Sequence, residues 1–367
     1  MHEGDPFSRK CAERPWILLG PQHPSLPWIV FSTSMFLMKR VVITDYLEPP
    51  ASIESEVLDG VADVACLLAR RTQELDGKLK DVDAIILCHE VTINEAVVAQ
   101  LDRCKVVVRC GVGFDNIDLK AAGRRGIPVC NVPDYGVDEV ADHAIAMALA
   151  CNRGLIKAER LLRKTLQPWD MRAVQPIFRI AGATMGIVGL GRIGSATALR
   201  AKGLGMRVLA YDPHVRPGTD KVLGVTLVDW ETLLQSSDIV SVHTPLTDET
   251  RGMVNAAALA QMKPSAILVN TARGAVVDTD ALAAALESEQ IAGAGIDVLP
   301  EEPAELSMPL VALWQQERVP PVNLVMTPHS AFYSDQGLVE MRRKAAQEIR
   351  RVLQGQAPLN CVNERFL

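Results

Sequence analysis

Nowhere in these 367 residues do cysteines stand at the close paired spacing of a zinc site or a dithiol redox motif. The eight that occur are scattered over positions 11, 66, 88, 104, 110, 130, 151 and 361, a pattern that suits a reducing cytoplasm better than a disulfide-stapled secreted chain. A stripe of one charge sign is missing too. The formal net charge is -6 with acids and bases intermixed, so nothing tracks a phosphate backbone and nucleic acid is not an expected direct ligand. No apolar run is long enough to span a bilayer. The two apolar patches near the start, Trp16 to Leu19 and Trp28 to Phe31, are broken up by prolines at 21, 24 and 27. No uninterrupted apolar stretch is followed by a small-residue cleavage site, and internal repeats and low-complexity tracts are lacking. Residues 1–37 therefore read as a loose, disordered extension, and the fold opens at Met38 with MKRVVITDY.

What is present is enough apolar sequence, 48%, to bury a sizeable core in about two domains. After Met38, β-branched runs at Arg40 to Thr44, Asp83 to Leu87 and Lys105 to Val108 alternate with amphipathic segments, the signal of parallel α/β structure. A second series has strand candidates at Thr184 to Val188, Arg207 to Tyr211, Ile239 to His243, Ala266 to Asn270, Gly293 to Ile296 and Leu324 to Met326. Six strands with helices between them fit a doubly wound nucleotide-binding sheet. Helices expected over Val137 to Cys151 and Asp335 to Leu353 would each cross between lobes. The expected architecture is thus two doubly wound parallel-sheet domains. A Rossmann nucleotide-binding domain, 138–329, is inserted in a discontinuous flavodoxin-like substrate domain, 38–137 with 330–367.

In TMGIVGLGRIGSATALRAKGLG, Gly189, Gly191 and Gly194 follow the strand ending at Val188 and open a helix. Gly189 permits a tight turn, Gly191 lets backbone approach a pyrophosphate, and Gly194 lets the helix pack on the strand. The amides of Arg192 and Ile193 would face the phosphates at the positive end of the helix dipole. Asp212 stands 18 residues beyond Gly194 at the end of the next strand, where a carboxylate accepts hydrogen bonds from ribose hydroxyls and repels a 2′-phosphate. The cofactor expected is NAD; no metal site is expected.

Three polar residues fall at the ends of strands, where α/β sheets place ligands: Arg273 in LVNTARGAVVD, Glu302 in GIDVLPEEPAE and His329 in VMTPHSAFYS. A cation, an acid and an imidazole are what reduction of a 2-oxo acid requires, respectively to bind the carboxylate and carbonyl, to keep the donor charged and to supply the proton. These motifs, with the glycine motif, resemble those of the D-isomer-specific 2-hydroxyacid dehydrogenase family over residues 38–367. Within it the likeness is greatest to the C-terminal binding protein branch, through GFDNIDLKAAGRRGIPVCNVPDYGVDEVADH, TPHSAFYSDQ and LNCVNERFL.

The resemblance implies that His329 exchanges the proton, Glu302 pairs with it, and Arg273 fixes and polarises a small 2-oxo or 2-hydroxy acid. From the opposite lobe, in VVVRCGVGFDNID, it puts Arg109 and the amides of Val112 and Gly113 on the substrate carboxylate; a structural ion pair is the other reading of Arg109. His89, in LCHEVTIN, is either a cleft residue or a structural histidine. By the same resemblance Asp297 holds the nicotinamide carboxamide, Thr244 and Pro245 border the adenosine, and Val188, Thr271 and Ala272 complete the cofactor lining. A homodimer built mainly through the nucleotide domain is implied as well. Two departures stand out. Phe332 sits where the corepressor branch has tryptophan, three residues after the catalytic histidine, and ALWQQERVPPVN reads as a surface insertion able to alter access to the cleft. Two other functions stay open: an NAD(H)-sensing corepressor or scaffold, and a phosphoglycerate dehydrogenase. The latter is weakened by the short stretch after His329, residues 330–367.

Overall fold

The computed structural model describes residues 38–367; the expected extension, residues 1–37, lies outside the described residues. The first sheet contains β1 (Lys39–Ile43), β2 (Ala62–Cys66), β3 (Ala84–Leu87), β4 (Val107–Arg109) and β5 (Val129–Asn131). Its strands are all parallel in the order β2-β1-β3-β4-β5, the flavodoxin-like winding. β2 and β5 had no counterpart among the sequence candidates. Both are edge strands; β2 alternates buried and solvent-facing residues, and β5 has only three residues, so neither shows the continuous apolar run of a central parallel strand.

The second sheet contains β6 (Thr184–Val188), β7 (Arg207–Tyr211), β8 (Thr226–Leu227), β9 (Ile239–Val242), β10 (Ile267–Asn270), β11 (Gly293–Ile296) and β12 (Leu324–Met326). Its order, β12-β11-β10-β9-β6-β7-β8, is the Rossmann winding extended by one strand. It has seven strands rather than the expected six, because the two-residue exposed edge strand β8 carries no apolar signal. β6, β9, β10 and β11 are buried along their whole lengths, as expected of parallel strands covered on both faces.

The two long helices do not themselves cross between sheets. Helix Val137–Asn152 lies on the second sheet, where the missing side chain of Gly295 admits Met147. Helix Asp335–Leu353 puts Met341, Ala345, Ala346 and Ile349 into the core formed with Val41, Ile43, Ile86 and Val108 of the first sheet. The segments preceding the helices make the crossings. They meet where the Ser334 hydroxyl donates to Glu139 Oε1 at 2.7 Å. The C-terminal tail returns to β5, with the Val362 amide on the Val129 carbonyl (2.8 Å) and Asn363 Oδ1 accepting from the Val129 amide (2.8 Å).

ALWQQERVPPVN is not wholly a surface insertion. Its first residues belong to helix Pro309–Gln315, whose Leu310 and Leu313 are buried in the core of the second sheet. The continuous exposed run begins at Gln315 and covers the turn that follows, 316–320. Among the described residues no helix is long and apolar enough to cross a membrane.

Candidate functional site

The glycine turn sits at the carboxyl end of β6, next to β9. Gly189 has φ +90, and a Cβ there would press on the His243 backbone and Thr244 Cγ2 at 3.0 Å. Gly194 opens the helix Arg192–Gly203 so close to the turn that a Cβ would overlap the Gly189 carbonyl oxygen, whereas beside Gly191 there is open space. No side chain caps this helix, so its first amides, at Arg192 and Ile193, keep their donors for an anion. Beyond Val188 and β9, the hydroxyls of Thr244 and Thr271 are buried without a hydrogen-bond partner. A buried hydroxyl left unpaired costs about 1–3 kcal/mol, which a bound polar ligand removes. The open glycine turn, uncapped helix and orphaned hydroxyls fit a dinucleotide. Pro245 follows Thr244 and is tied by its carbonyl to the Thr250 hydroxyl (2.6 Å).

Asp212 lies at the end of β7 beside this turn. Its Oδ2 accepts from the Leu190 amide and its Oδ1 from the His214 amide, both at 2.8 Å. The carboxylate thus braces the glycine turn, and each oxygen retains a lone pair for a ribose hydroxyl. Asp297 is 2% exposed, and its carboxylate is held by three donors of the protein. Oδ1 accepts from the Thr327 hydroxyl (2.5 Å) and the Ser330 amide (2.9 Å), and Oδ2 accepts from the Ala331 amide (3.0 Å). Because that hydroxyl proton is committed to Asp297, His143 must donate from Nε2 to Thr327 Oγ1, 3.0 Å away.

This network shapes the loop carrying His329. The histidine has φ +51, a left-handed conformation that costs a non-glycine residue about 1–3 kcal/mol and persists only where surroundings impose it. The imposed geometry brings Nδ1 to 2.6 Å from Glu302 Oε2. Burial works to raise the Glu302 carboxyl, but the His329 hydrogen bond and charge, the Leu299 amide and the Arg273 cation together hold it below the ordinary glutamate value. An ionised carboxylate only accepts, so Nδ1 carries hydrogen and Nε2 is the nitrogen left to exchange a proton.

Arg273 follows β10. Buried Asn270 braces its loop, accepting from the Ala272 amide (3.0 Å) and donating to the Arg273 carbonyl (2.9 Å). The guanidinium donates through Nη1 to the Ala272 carbonyl (2.8 Å) and through Nε to Asp115 Oδ1 (2.9 Å) on the opposite lobe. It lies against Gly113 so closely that any Cβ there would overlap Nη2.

Arg273, Glu302 and His329 share one cavity of about 1180 Å³ with Arg109 and His89. Arg109, at the end of β4, forms no ion pair among the described residues. Its Nε is buried without a partner and its Nη1 donates to the Cys110 carbonyl, folding over Gly111. Val112 is held by its carbonyl, which accepts from Asn131 Nδ2 (2.7 Å). The His89 ring is 6.2 Å from that of His329 and 4.5 Å from that of Tyr46. Burial, then the Arg109 and His329 charges, lower the His89 imidazole below the usual histidine value, against the pull of Asp45 and Glu302. Phe332 meets His329 edge-on at 6.3 Å.

Several lining residues were not anticipated. Tyr46, Arg70, Asp115 and Trp314 all border the cavity. Asp115 belongs to the quoted GFDNID motif but carried no assigned role, and Trp314 stands in the segment read as an insertion. Tyr46 and Arg70 had no sequence signal, since only the pairing of β1 with β2 and β3 brings their loops to the cleft.

A family model described as D-isomer specific 2-hydroxyacid dehydrogenase, NAD binding domain, matches residues 145–331. A glyoxylate reductase of Korarchaeum cryptofilum is 40% identical over 294 residues, covering 79% of this chain and 85% of that protein. Among solved structures, a D-lactate dehydrogenase from Aquifex aeolicus complexed with NAD and lactic acid superposes with a TM-score of 0.77 at 28% identity, covering 86% of this chain and 96% of the other. An NADPH-dependent glyoxylate/hydroxypyruvate reductase from Sinorhizobium meliloti, in complex with NADP and malonate, gives a TM-score of 0.75 at 28% identity, covering 88% and 96%. With both windings, the glycine turn and these matches in agreement, the chain belongs to the D-isomer-specific 2-hydroxyacid dehydrogenase family.

Proposed function

We propose that this chain, an NAD(P)-dependent oxidoreductase interconverting 2-oxo and 2-hydroxy acids, reduces a small 2-oxo acid to the D-2-hydroxy acid with NADH. The observation that carries the reading is the pairing of His329 with Glu302 in the same cavity as Arg273. The glycine turn, Asp212, Thr244 and Thr271 would hold the dinucleotide, which when bound would supply or accept a hydride at C2. His329 gives its Nε2 proton to the C2 oxygen as negative charge develops there. Glu302 stabilises the imidazolium before the transfer. Arg273 binds the C1 carboxylate and polarises the carbonyl, and Arg109 with the Val112 and Gly113 amides approaches the carboxylate from the other lobe. The same reading makes 138–329 the NAD-binding domain and 38–137 with 330–367 the substrate domain. Nothing among the described residues favours a corepressor role over turnover. Incubating a panel of 2-oxo acids with NADH tests the assignment, which fails if none is reduced.

Glu302→Gln removes the charge of the pair while its one amide oxygen can still accept from Nδ1, leaving the Leu299 amide without the acceptor it has in the parent. The wild-type carboxyl lies below its ordinary value and is ionised at neutral pH, where it favours the imidazolium that reduction consumes. Removing the anion should move the fall of the reductive rate with rising pH to lower pH. An unchanged pH-rate profile would remove the pairing from the mechanism.

Preference for NAD over NADP is also proposed, since a 2′-phosphate would meet the Asp212 carboxylate. Asp212→Ala should weaken both cofactors, because the Leu190 amide loses its acceptor, but NAD more, narrowing the ratio of efficiencies. Equal or better efficiency of the parent with NADPH would contradict this.

A homodimer through the nucleotide domain is supported by an exposed apolar patch after helix Leu155–Thr165, where Leu166, Trp169 and Met171 are 65%, 75% and 71% exposed. Light scattering at micromolar concentration should give twice the chain mass, and Trp169→Glu should lower it. A monomeric parent would refute the proposal.

A further inference from the structure

The guanidinium of Arg273 has five N–H donors, two of them engaged within the protein. One Nη1 hydrogen goes to the Ala272 carbonyl of its own loop, and the Nε hydrogen goes to Asp115 Oδ1 at 2.9 Å. The other three, one on Nη1 and two on Nη2, have no partner among the described residues, and Nη2 lies against Gly113. A planar fork recognises a carboxylate only in one orientation, and the Ala272 bond alone leaves rotation about Cδ–Nε and the preceding bonds open. Asp115 closes that freedom from the opposite lobe.

Its own platform is rigid. Asn116, next in sequence, donates from Nδ2 to the carbonyls of Cys88 (3.1 Å) and Val91 (2.9 Å), and its carbonyl accepts from the Ile93 amide (2.9 Å). Burial pushes the Asp115 carboxyl up, but the Arg273 charge and hydrogen bond, its own backbone amide and the Arg109 charge outweigh it and leave the group below the ordinary aspartate value. The acid is therefore an anion where the enzyme works.

We propose that Asp115 is a positioning residue that fixes the Arg273 fork for the substrate carboxylate, so that the cation of the nucleotide lobe is set by a residue of the substrate lobe. This rests on the reading of Arg273 given above. A half-exposed ion pair adds little to stability, so the contribution is in rate: a misplaced clamp loses the near-attack geometry on which proximity effects depend.

The test compares the full-length parent with Asp115→Ala and Asp115→Asn. For each variant the measurements are KM and kcat with the best 2-oxo acid, the NADH dissociation constant by fluorescence, the binding of oxamate (an unreactive 2-oxo acid isostere) to the NADH complex, and the melting temperature. Asp115→Ala should lower kcat/KM by about 10- to 100-fold, the worth of a hydrogen bond to a charged group, raising KM and lowering kcat. Oxamate should bind more weakly in parallel, with NADH affinity within about twofold of the parent, a change too small to matter against tenfold per 1.4 kcal/mol. Asp115→Asn, whose side-chain oxygen still accepts from Nε, should recover part of the loss. Asp115→Ser, too short to reach, replaces the alanine variant should that variant not fold. Parental kcat/KM and oxamate affinity in Asp115→Ala would overturn the proposal, as would an equal loss of NADH affinity or an asparagine variant no better than alanine. A parent that binds oxamate yet reduces no 2-oxo acid would refute the functional reading while leaving the oxamate comparison to judge Asp115.

Discussion

His329→Ala should slow reduction of the best 2-oxo acid by about 10²- to 10⁴-fold, the range expected for a positioned acid or base. The structure makes this nitrogen pair unequal. Nδ1 is committed to ionised Glu302 at 2.6 Å, so Nε2 is the only ring position able to deliver a proton to a ligand in the cavity. Its nearest imidazole neighbour, His89, is a poor substitute: burial and the nearby Arg109 cation hold it towards the neutral form. The glycine turn and Asp212 lie at the ends of other strands, so the NADH dissociation constant should stay near the parental value. Steady-state kinetics with a parallel fluorescence titration separate the two effects. Turnover at the parental rate would remove His329 from the mechanism.

Arg273→Ala should be nearly as damaging but in a different pattern. In the proposed mechanism the guanidinium serves both the ground-state carboxylate and the developing oxyanion, so KM should rise while kcat falls. Losing a donor that stabilises a developing oxyanion costs about 10²- to 10³-fold in turnover, and the carboxylate contact adds to that in kcat/KM. The alanine variant also frees Asp115, leaving a carboxylate beside the substrate anion with no cation between them. Arg273→Lys should recover only a part. An ammonium supplies charge but cannot donate to Asp115, the Ala272 carbonyl and a carboxylate with the geometry of the fork. A rise in KM alone, with kcat intact, would limit Arg273 to binding.

Much of this site was legible in sequence because its parts are local. The strand ending at Val188, the three glycines and Asp212 occur in one βαβ stretch, where backbone sterics demand those residue types. The strand ends carrying Arg273 and Glu302 were visible because central parallel strands are continuous apolar runs, and the one carrying His329 because the edge strand β12 is apolar throughout. Edge strands β2, β5 and β8 lack that run and were missed. Longer-range contacts were harder. Asp115 and Arg273 are 158 positions apart, and Asn270 looks like any strand-end polar residue until its two bonds to the arginine loop are seen. Asp297 shows the converse. Its place after β11 was readable, but its three hydrogen bonds, all to the turn that sets His329, come from the packing of β11 against β12. Trp314 was hidden because its segment was read as a surface insertion, although it stands in a helix anchored by Leu310 and Leu313.

The central claim is hydride transfer to C2 of a 2-oxo acid with a proton from His329, giving one enantiomer. Its most direct test is a screen of 2-oxo acids, glyoxylate and pyruvate among them, with NADH. Oxidation of NADH is followed in the ultraviolet, and the product of each chiral reaction is resolved by chromatography on a chiral phase. The account predicts NADH oxidation matched mole for mole by D-2-hydroxy acid, and its loss in His329→Ala. Accumulation of the L-enantiomer, or no reduction of any 2-oxo acid by folded protein that binds NADH, would contradict it.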